Sequence, residues 1–214
     1  MRSSEHILWC VDAQEDFMRP GGKLYVPGAE KLLPNIDRLV DAARESRVFL
    51  VSHGCFHTVD DPEFKTFPPH CIKGTPGAEF VPEAMTTKYV RVSNEPGSFL
   101  PEDFLQKQQI ILEKQTLDIF ESRHADELLQ HLDRNSEFVV FGVVTEYCVR
   151  LAAKGLLERR RRACVVGDAV ETLSREAHER TILELKTLGA NLVTTDEASA
   201  RLTATANRCT KCLS

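Results

Sequence analysis

No apolar run in this sequence approaches the roughly 20 residues that a membrane-spanning helix requires, which excludes a helical membrane protein. An export signal is not expected either. The only apolar run near the start is Ile7 to Val11, and Asp12 cuts it short. The expected compartment is therefore the cytoplasm. Basic residues are not in excess: 27 Lys and Arg stand against 32 Asp and Glu, for a net charge of −5. That balance argues against a chain built to grip nucleic acid or an anionic membrane surface. Internal repeats and linkers are absent too. The chain has 214 residues, 42% of them apolar and 28% charged, which is globular composition and excludes a disordered or fibrous protein. Its seven cysteines are odd in number and spread over a chain too long to need staples, so they read as thiols, ligands or nucleophiles.

What is present is an alternation of short apolar runs and amphipathic stretches. Strands are expected at 6–11, 47–52, 109–114, 137–142, 163–167 and 191–194. Helical spacing places Leu32, Ile36, Leu39, Val40 and Ala43 on one face. It does the same for Ala125, Leu128, Leu129 and Leu132, and for Val149, Ala152, Ala153, Leu156 and Leu157. Ser174 is expected to cap a helix that buries Ala177, Thr181, Leu185 and Leu188 and stops at Gly189. Four arginines, Arg159 to Arg162, sit at a helix end, where positive charge suits the dipole. Residues 53–108 are rich in Pro, Gly and Thr and read as loops, with a short element near Tyr89–Val92. Alternating strand and helix imply a three-layer αβα fold with a six-stranded, mainly parallel, Rossmann-like sheet. The expected organisation is one domain over residues 1–197 and a tail over 198–214.

Ligands of open parallel sheets bind beyond the C-terminal strand ends. Asp12, His53 with Cys55 and His57, Lys114, and Gly142 with Cys148 all fall at such ends. Cys148 is the candidate nucleophile. With Thr145 as N-cap, its thiol would sit in a first helical turn, where the dipole and Lys114 would lower its pKa. Backbone N–H groups of that turn suit an oxyanion hole, and Asp12 suits a general base. Position alone leaves a buried structural thiol as an equal reading of Cys148.

Several segments, in order, resemble the isochorismatase-like cysteine hydrolases, and within them the nicotinamidase branch. Val11-Asp12-Ala13-Gln14-Glu15-Asp16-Phe17 is similar to that family's opening D-x-Q-x-D-F motif. Phe67-Pro68-Pro69-His70-Cys71 with Gly74-Thr75-Pro76-Gly77-Ala78 resembles its W-P-x-H-C…G-T-x-G-A stretch. Glu113-Lys114 ends a strand where the family has its lysine. Gly142-Val143-Val144-Thr145-Glu146-Tyr147-Cys148-Val149 resembles the nucleophile turn, and Gly167-Asp168-Ala169 a later D-A segment. The resemblance spans residues 5–197. It implies a catalytic set of Asp12, Lys114 and Cys148, a cis peptide between Val143 and Val144, and an oxyanion hole from the Val144 and Cys148 N–H groups. It also implies a pocket with Phe17 and Phe67.

The resemblance further implies a divalent metal held by Cys55, His57, Glu63 and His70, and here the chain departs from the pattern. Cys55 stands where the family has Asp, and Glu63 occupies a variable place. A mixed N, S, O set favours zinc over harder ions. His53, Asp60 and Asp61 are alternative ligands under a different threading. No organic cofactor is expected. A small-molecule amide is the expected partner, with nicotinamide leading and ureido or N-carbamoyl amides second. A non-catalytic thiol- or metal-binding protein is the third reading. The family implies a homo-oligomer, a dimer or tetramer. Asp16 reads as a supporting acid or a backbone cap. Cys10 and Cys164 read as core, and Cys209 with Cys212 as a feature of the tail.

Overall fold

The structure, a computed structural model, describes residues 5–211 and the side chains of residues 5–203. Seven strands form one parallel sheet: β1 (His6–Val11), β2 (Phe49–Cys55), β3 (Tyr89–Val92), β4 (Gln109–Lys114), β5 (Glu137–Gly142), β6 (Arg162–Val170) and β7 (Asn191–Val193). Their order is β3-β4-β2-β1-β5-β6-β7, with every neighbouring pair parallel. The seventh strand is β3, the short element foreseen near Tyr89. It is half exposed and lies at an edge, so it lacks the unbroken apolar run that marks the inner strands.

Helices cover both faces. On one lie α1 (Glu15–Met18), α2 (Leu33–Arg44) and α6 (Thr195–Lys211). On the other lie α3 (Ala125–His131), α4 (Arg150–Glu158) and α5 (Arg175–Thr187). The two-residue period of β1 shows why two cores exist. Leu8 and Cys10 face the α2 layer, while Ile7, Trp9 and Val11 face the α4 layer, all essentially inaccessible to solvent. The apolar stripe of α2, at Leu33, Ile36, Leu39, Val40 and Ala43, lies fully in the first core. No described helix is long and apolar enough to cross a membrane.

Ser174 accepts a hydrogen bond from the Ala177 N–H, and Gly189 takes φ +101°, so both ends of α5 are as the sequence indicates. Leu188 is not in its buried face. It follows the last helical turn and is 43% exposed. The arginine run does more than solvate a helix end. Arg161 is buried and donates to the carbonyls of Leu129 and Asp133, satisfying the end of α3. Arg159 pairs with Asp126 and covers the Phe120 ring. The expected tail begins inside α6, where Ala198 and Leu202 are buried in the α2 layer. Cys209 and Cys212 lie outside the residues whose side chains are described.

Candidate active site

The four central strands end side by side in the order β4, β2, β1, β5, and each end delivers a polar group. Asp12 terminates β1 with φ +49°, a left-handed conformation that Asp tolerates better than most residues. Its N–H donates to the His53 carbonyl on β2 (2.9 Å). Lys114 is the last residue of β4, in register with Cys55 on β2. Gly142 ends β5 at φ +119°, and a Cβ there would lie 2.0 Å from the Val11 carbonyl oxygen. Only glycine lets the chain leave β5 this close to β1. The Val143–Val144 peptide that follows is cis, as the resemblance implies.

The turn carrying Cys148 differs from the expected capped α-helix. Residues Thr145–Val149 form one π-helical turn, interrupted by non-helical angles at Tyr147, before α4 begins. Val144 is at the N-cap without a side-chain cap. Thr145 instead donates its N–H and its hydroxyl to the Glu171 carbonyl (both 2.8 Å), tying the turn to the end of β6.

Asp12, Lys114 and Cys148 meet beneath this turn, all buried. Lys114 Nζ lies 3.0 Å from Asp12 Oδ2 and donates to Cys148 Sγ at 3.6 Å. The Cys148 thiol lies near enough to Asp12 for the carboxylate charge to act on it. Burial alone would raise the Asp12 pKa, but the Lys114 ammonium and His53 outweigh it and hold the carboxyl at about 2. Burial would likewise strip the Lys114 proton, but the Asp12 charge and the adjacent sulfurs keep the ammonium well above its ordinary pKa. The Cys148 thiol moves opposite to the expected direction. Desolvation and the Asp12 charge push it well above the ordinary thiol value, against the pull of Lys114. The resting site is thus carboxylate, ammonium and neutral thiol.

Beside this set lies a second group of donors. Cys55, His57 and His70 present ligand atoms within 4.8 Å of one another, and so do His57, Asp61 and Glu63. His70 Nδ1 faces the Pro68 carbonyl (2.8 Å), and His57 Nδ1 faces Asp61 Oδ2 (3.0 Å). Glu63 Oε2 lies 3.9 Å from His57 Nε2. Neither ring nitrogen of the buried His57 completes a hydrogen bond among the described residues. A buried imidazole left unsatisfied, next to a thiol, a carboxylate and a second imidazole, fits a divalent metal. Outward partners at Nδ1 are the usual support of a metal-ligating histidine. Burial raises the Glu63 pKa and lowers that of His70. Cys55 has a further partner: Lys114 Nζ donates to its sulfur at 3.0 Å.

The remaining motif residues hold this floor together. Gln14 clamps the end of β2, donating to the Cys55 carbonyl (2.6 Å) and accepting from the Cys55 N–H (2.8 Å). Asp16 accepts from the N–H groups of Cys71 (2.7 Å) and Lys23 (3.0 Å), so it caps backbone. A Cβ at Gly77 would lie 2.3 Å from the Asp16 carboxylate, which accounts for that glycine. His53 does not join these donor groups: its Nδ1 sits 3.5 Å from Asp12 Oδ1, and burial lowers its pKa. Asp60 is exposed and apart from the donors, whereas Asp61 joins them. Gln14 had no role in the sequence, and His53 stood there at a strand end and only as an alternative ligand. The parallel pairing of Val11 with His53 was the signal that puts His53 beside Asp12.

A cleft of about 110 Å³ opens over both groups. Phe17 and Phe67 line it, each with its ring near His70 (5.3 and 6.4 Å between centroids). Tyr147, Leu117 and Leu173 complete a mostly apolar wall. This lining suits one small molecule with a flat apolar body.

The chain matches the family described as the isochorismatase domain over residues 6–106 and 90–197. It is 28% identical over 196 residues to the nicotinamidase/pyrazinamidase of Mycobacterium tuberculosis, covering 87% of this chain and 97% of that one. It is 26% identical over 205 residues to a probable inactive nicotinamidase of Arabidopsis thaliana, covering 91% and 95%. Among solved structures it resembles the pyrazinamidase of Pyrococcus horikoshii in complex with zinc, with TM-score 0.71 and 29% identity over 89% of this chain and 99% of the other. The chain belongs to the isochorismatase family, among its amide-cleaving hydrolases.

Proposed function

We propose that this chain hydrolyses a small aromatic carboxamide, nicotinamide first among them, through a thioester on Cys148. One observation carries the reading: Lys114 bridges an ionised Asp12 and a buried Cys148 thiol on the floor of an apolar cleft. Because the resting thiol is neutral, its proton leaves only as attack begins. Cys148 Sγ attacks the amide carbon while Asp12 takes the thiol proton. The Val144 and Cys148 N–H groups stabilise the oxyanion. Asp12 then protonates the departing ammonia. Water attacks the thioester with Asp12 again as base, and the acid leaves as Cys148 regains its proton. Lys114 keeps Asp12 ionised and offsets the charge that develops on sulfur. Phe17 and Phe67 hold the ring flat near His70.

Cys55, His57, Glu63 and His70 would hold a zinc ion, with Asp61 orienting His57. Bound zinc supplies a Lewis acid for a ring nitrogen of the substrate. The observation favouring a second substrate is at Cys55, whose sulfur already receives the Lys114 proton donor where the family pattern has a carboxylate. A weaker metal site would favour N-carbamoyl or ureido amides, which carry no ring nitrogen to anchor.

The test is ammonia release from nicotinamide and from an N-carbamoyl amino acid, with chelator and with added zinc, beside Cys148→Ala. Zinc-dependent release from nicotinamide, absent in the variant, is the expected result. Release from the carbamoyl compound alone would move the substrate to the second reading. Undiminished turnover by Cys148→Ala would overturn the nucleophile.

A further inference from the structure

The triad needs one cysteine, but the cleft floor has two. Cys55 and Cys148 line the same cleft, and one ammonium, Lys114 Nζ, donates to both sulfurs (3.0 and 3.6 Å). They are brought together by non-local pairing: Cys55 ends β2 opposite Lys114, and Cys148 lies in the turn after β5. The family pattern has Asp at position 55, which cannot be oxidised by a peroxide. A thiol there changes what can happen to the nucleophile.

We propose that Cys55 is a resolving thiol and that a peroxide converts Cys55 and Cys148 into a reversible disulfide, switching the site off. In the first step Cys148 Sγ attacks one peroxide oxygen. The S–O bond forms, the O–O bond breaks, and the leaving oxygen takes the thiol proton through Asp12, giving water and Cys148 sulfenic acid. In the second step Cys55 Sγ attacks the Cys148 sulfur. The S–S bond forms, the S–O bond breaks, and hydroxide departs with the Cys55 proton as a second water. Two thiols lose two electrons and hydrogen peroxide is reduced to two waters. A dithiol returns the electrons and both thiols.

Burial keeps both thiols protonated at rest, so each proton has to leave as its sulfur reacts, and the geometry supplies the means. Asp12 serves as base for a peroxide as it does for an amide. Lys114 has a third partner, Asp12 at 3.0 Å, so its ammonium keeps a counter-charge when the sulfurs turn toward one another. The apolar cleft admits a small oxidant while Cys148 stays almost wholly buried, which slows oxidation by larger disulfides. Cys71 competes poorly: its thiol donates toward the Gly77 carbonyl (3.8 Å), and it does not line the cleft. The switch acts on the floor of the site in the zinc-free chain, because a zinc ion held by Cys55 would occupy the resolving thiol, and it holds for whichever amide is cleaved.

The experiment treats the full chain, as purified and with a chelator present, with stoichiometric hydrogen peroxide. Free thiols are then counted and the unreduced peptides mapped by mass. We expect loss of two thiols, one cross-linked peptide pair joining Cys55 and Cys148, and return of both thiols with dithiothreitol. In Cys55→Ser the sulfenic acid at Cys148 should be trapped by dimedone and, untrapped, should advance to sulfinic acid. The fraction of Cys148 recovered by dithiothreitol should fall about tenfold against wild type. Cys55→Asp, the family's own residue, should behave the same way and guards against misfolding of the serine variant. A Cys55–Cys71 bridge, or sulfinic acid at Cys148 of the wild type with Cys55 still free, would overturn the proposal. The cross-link is read by mass, so failure of the nicotinamide reading leaves this result intact.

Discussion

The two halves of the cleft floor are built in different ways. Asp12 and Lys114 stand at the ends of central strands, and Cys148 sits in a turn held by Gly142 and Glu171. These groups are buried and their charges are matched. His57, Glu63 and His70 come instead from the long connection between β2 and β3, built from short 3₁₀ turns at 62–65, 76–78 and 82–84. Their arrangement depends on backbone caps from Asp16 and Asp61. A sheet edge fixes a catalytic group to within the precision of the ladder, whereas a loop positions a ligand only as well as its caps. The departure from the family pattern falls between the two regions. Cys55 is on a strand, belongs to the metal donors, and is bonded to the triad lysine.

The strongest way to break this comparison is to remove the Asp12 carboxylate, the proposed base. Asp12→Asn leaves the Lys114 ammonium buried without its counter-charge and takes away the proton acceptor. Steady-state kinetics should show turnover reduced by about a thousandfold or more. Chemical denaturation should show stability lowered by about 3 kcal/mol. Zinc affinity, a property of the other half, should change far less. Turnover within tenfold of wild type would separate Asp12 from the chemistry.

A smaller effect appears as a pH dependence of stability. The Asp12 carboxyl titrates near 2 in the folded chain, against an ordinary value of 3.8. Its contribution, about 2 kcal/mol, is therefore fully present above pH 3.8 and is lost as pH falls through about 2. In that window the unfolded chain binds more protons than the folded one. Glu137 acts in the same direction, held at about 2 by His6, Arg162 and Arg201. Urea unfolding between pH 5 and pH 2 should be less steep in pH for Asp12→Asn than for wild type. Identical slopes would mean that the Asp12–Lys114 pair is not coupled as its geometry requires.

Much of this was legible from sequence because strands and their ends carry strong signals. Continuous apolar runs located the inner strands, and the strand-end rule gathered Asp12, Lys114 and Cys148. The edge strand β3 was harder to count, since Tyr89 and Arg91 face solvent and break the apolar run. The direction of the Cys148 pKa was misread for a physical reason. A helix start and a lysine suggest a lowered value, but sequence does not report that the thiol is buried beside a carboxylate. The π-helical turn was hidden as well, because Thr145 resembles an N-cap until Glu171, 26 residues away, claims its hydroxyl. The contact of His53 with Asp12 was hidden because it depends on the register of two strands.

The smallest predicted effect distinguishes the two overlapping donor groups. Asp61 either orients His57 from outside or joins it as a direct ligand. Its Oδ1 accepts from the Glu63 N–H (2.9 Å) and caps the turn, while Oδ2 faces His57 Nδ1. Asp61→Asn keeps an oxygen for the cap and removes the negative charge behind the imidazole. If Cys55, His57, Glu63 and His70 form the inner set, zinc affinity by competition with a chelator should fall about tenfold. The rate of Cys148 alkylation should stay unchanged, because the triad is held by the sheet. Complete loss of zinc binding would make Asp61 a direct ligand and leave Cys55 to Lys114. A parallel loss of Cys148 reactivity would show that the two halves of the floor are one cooperative unit.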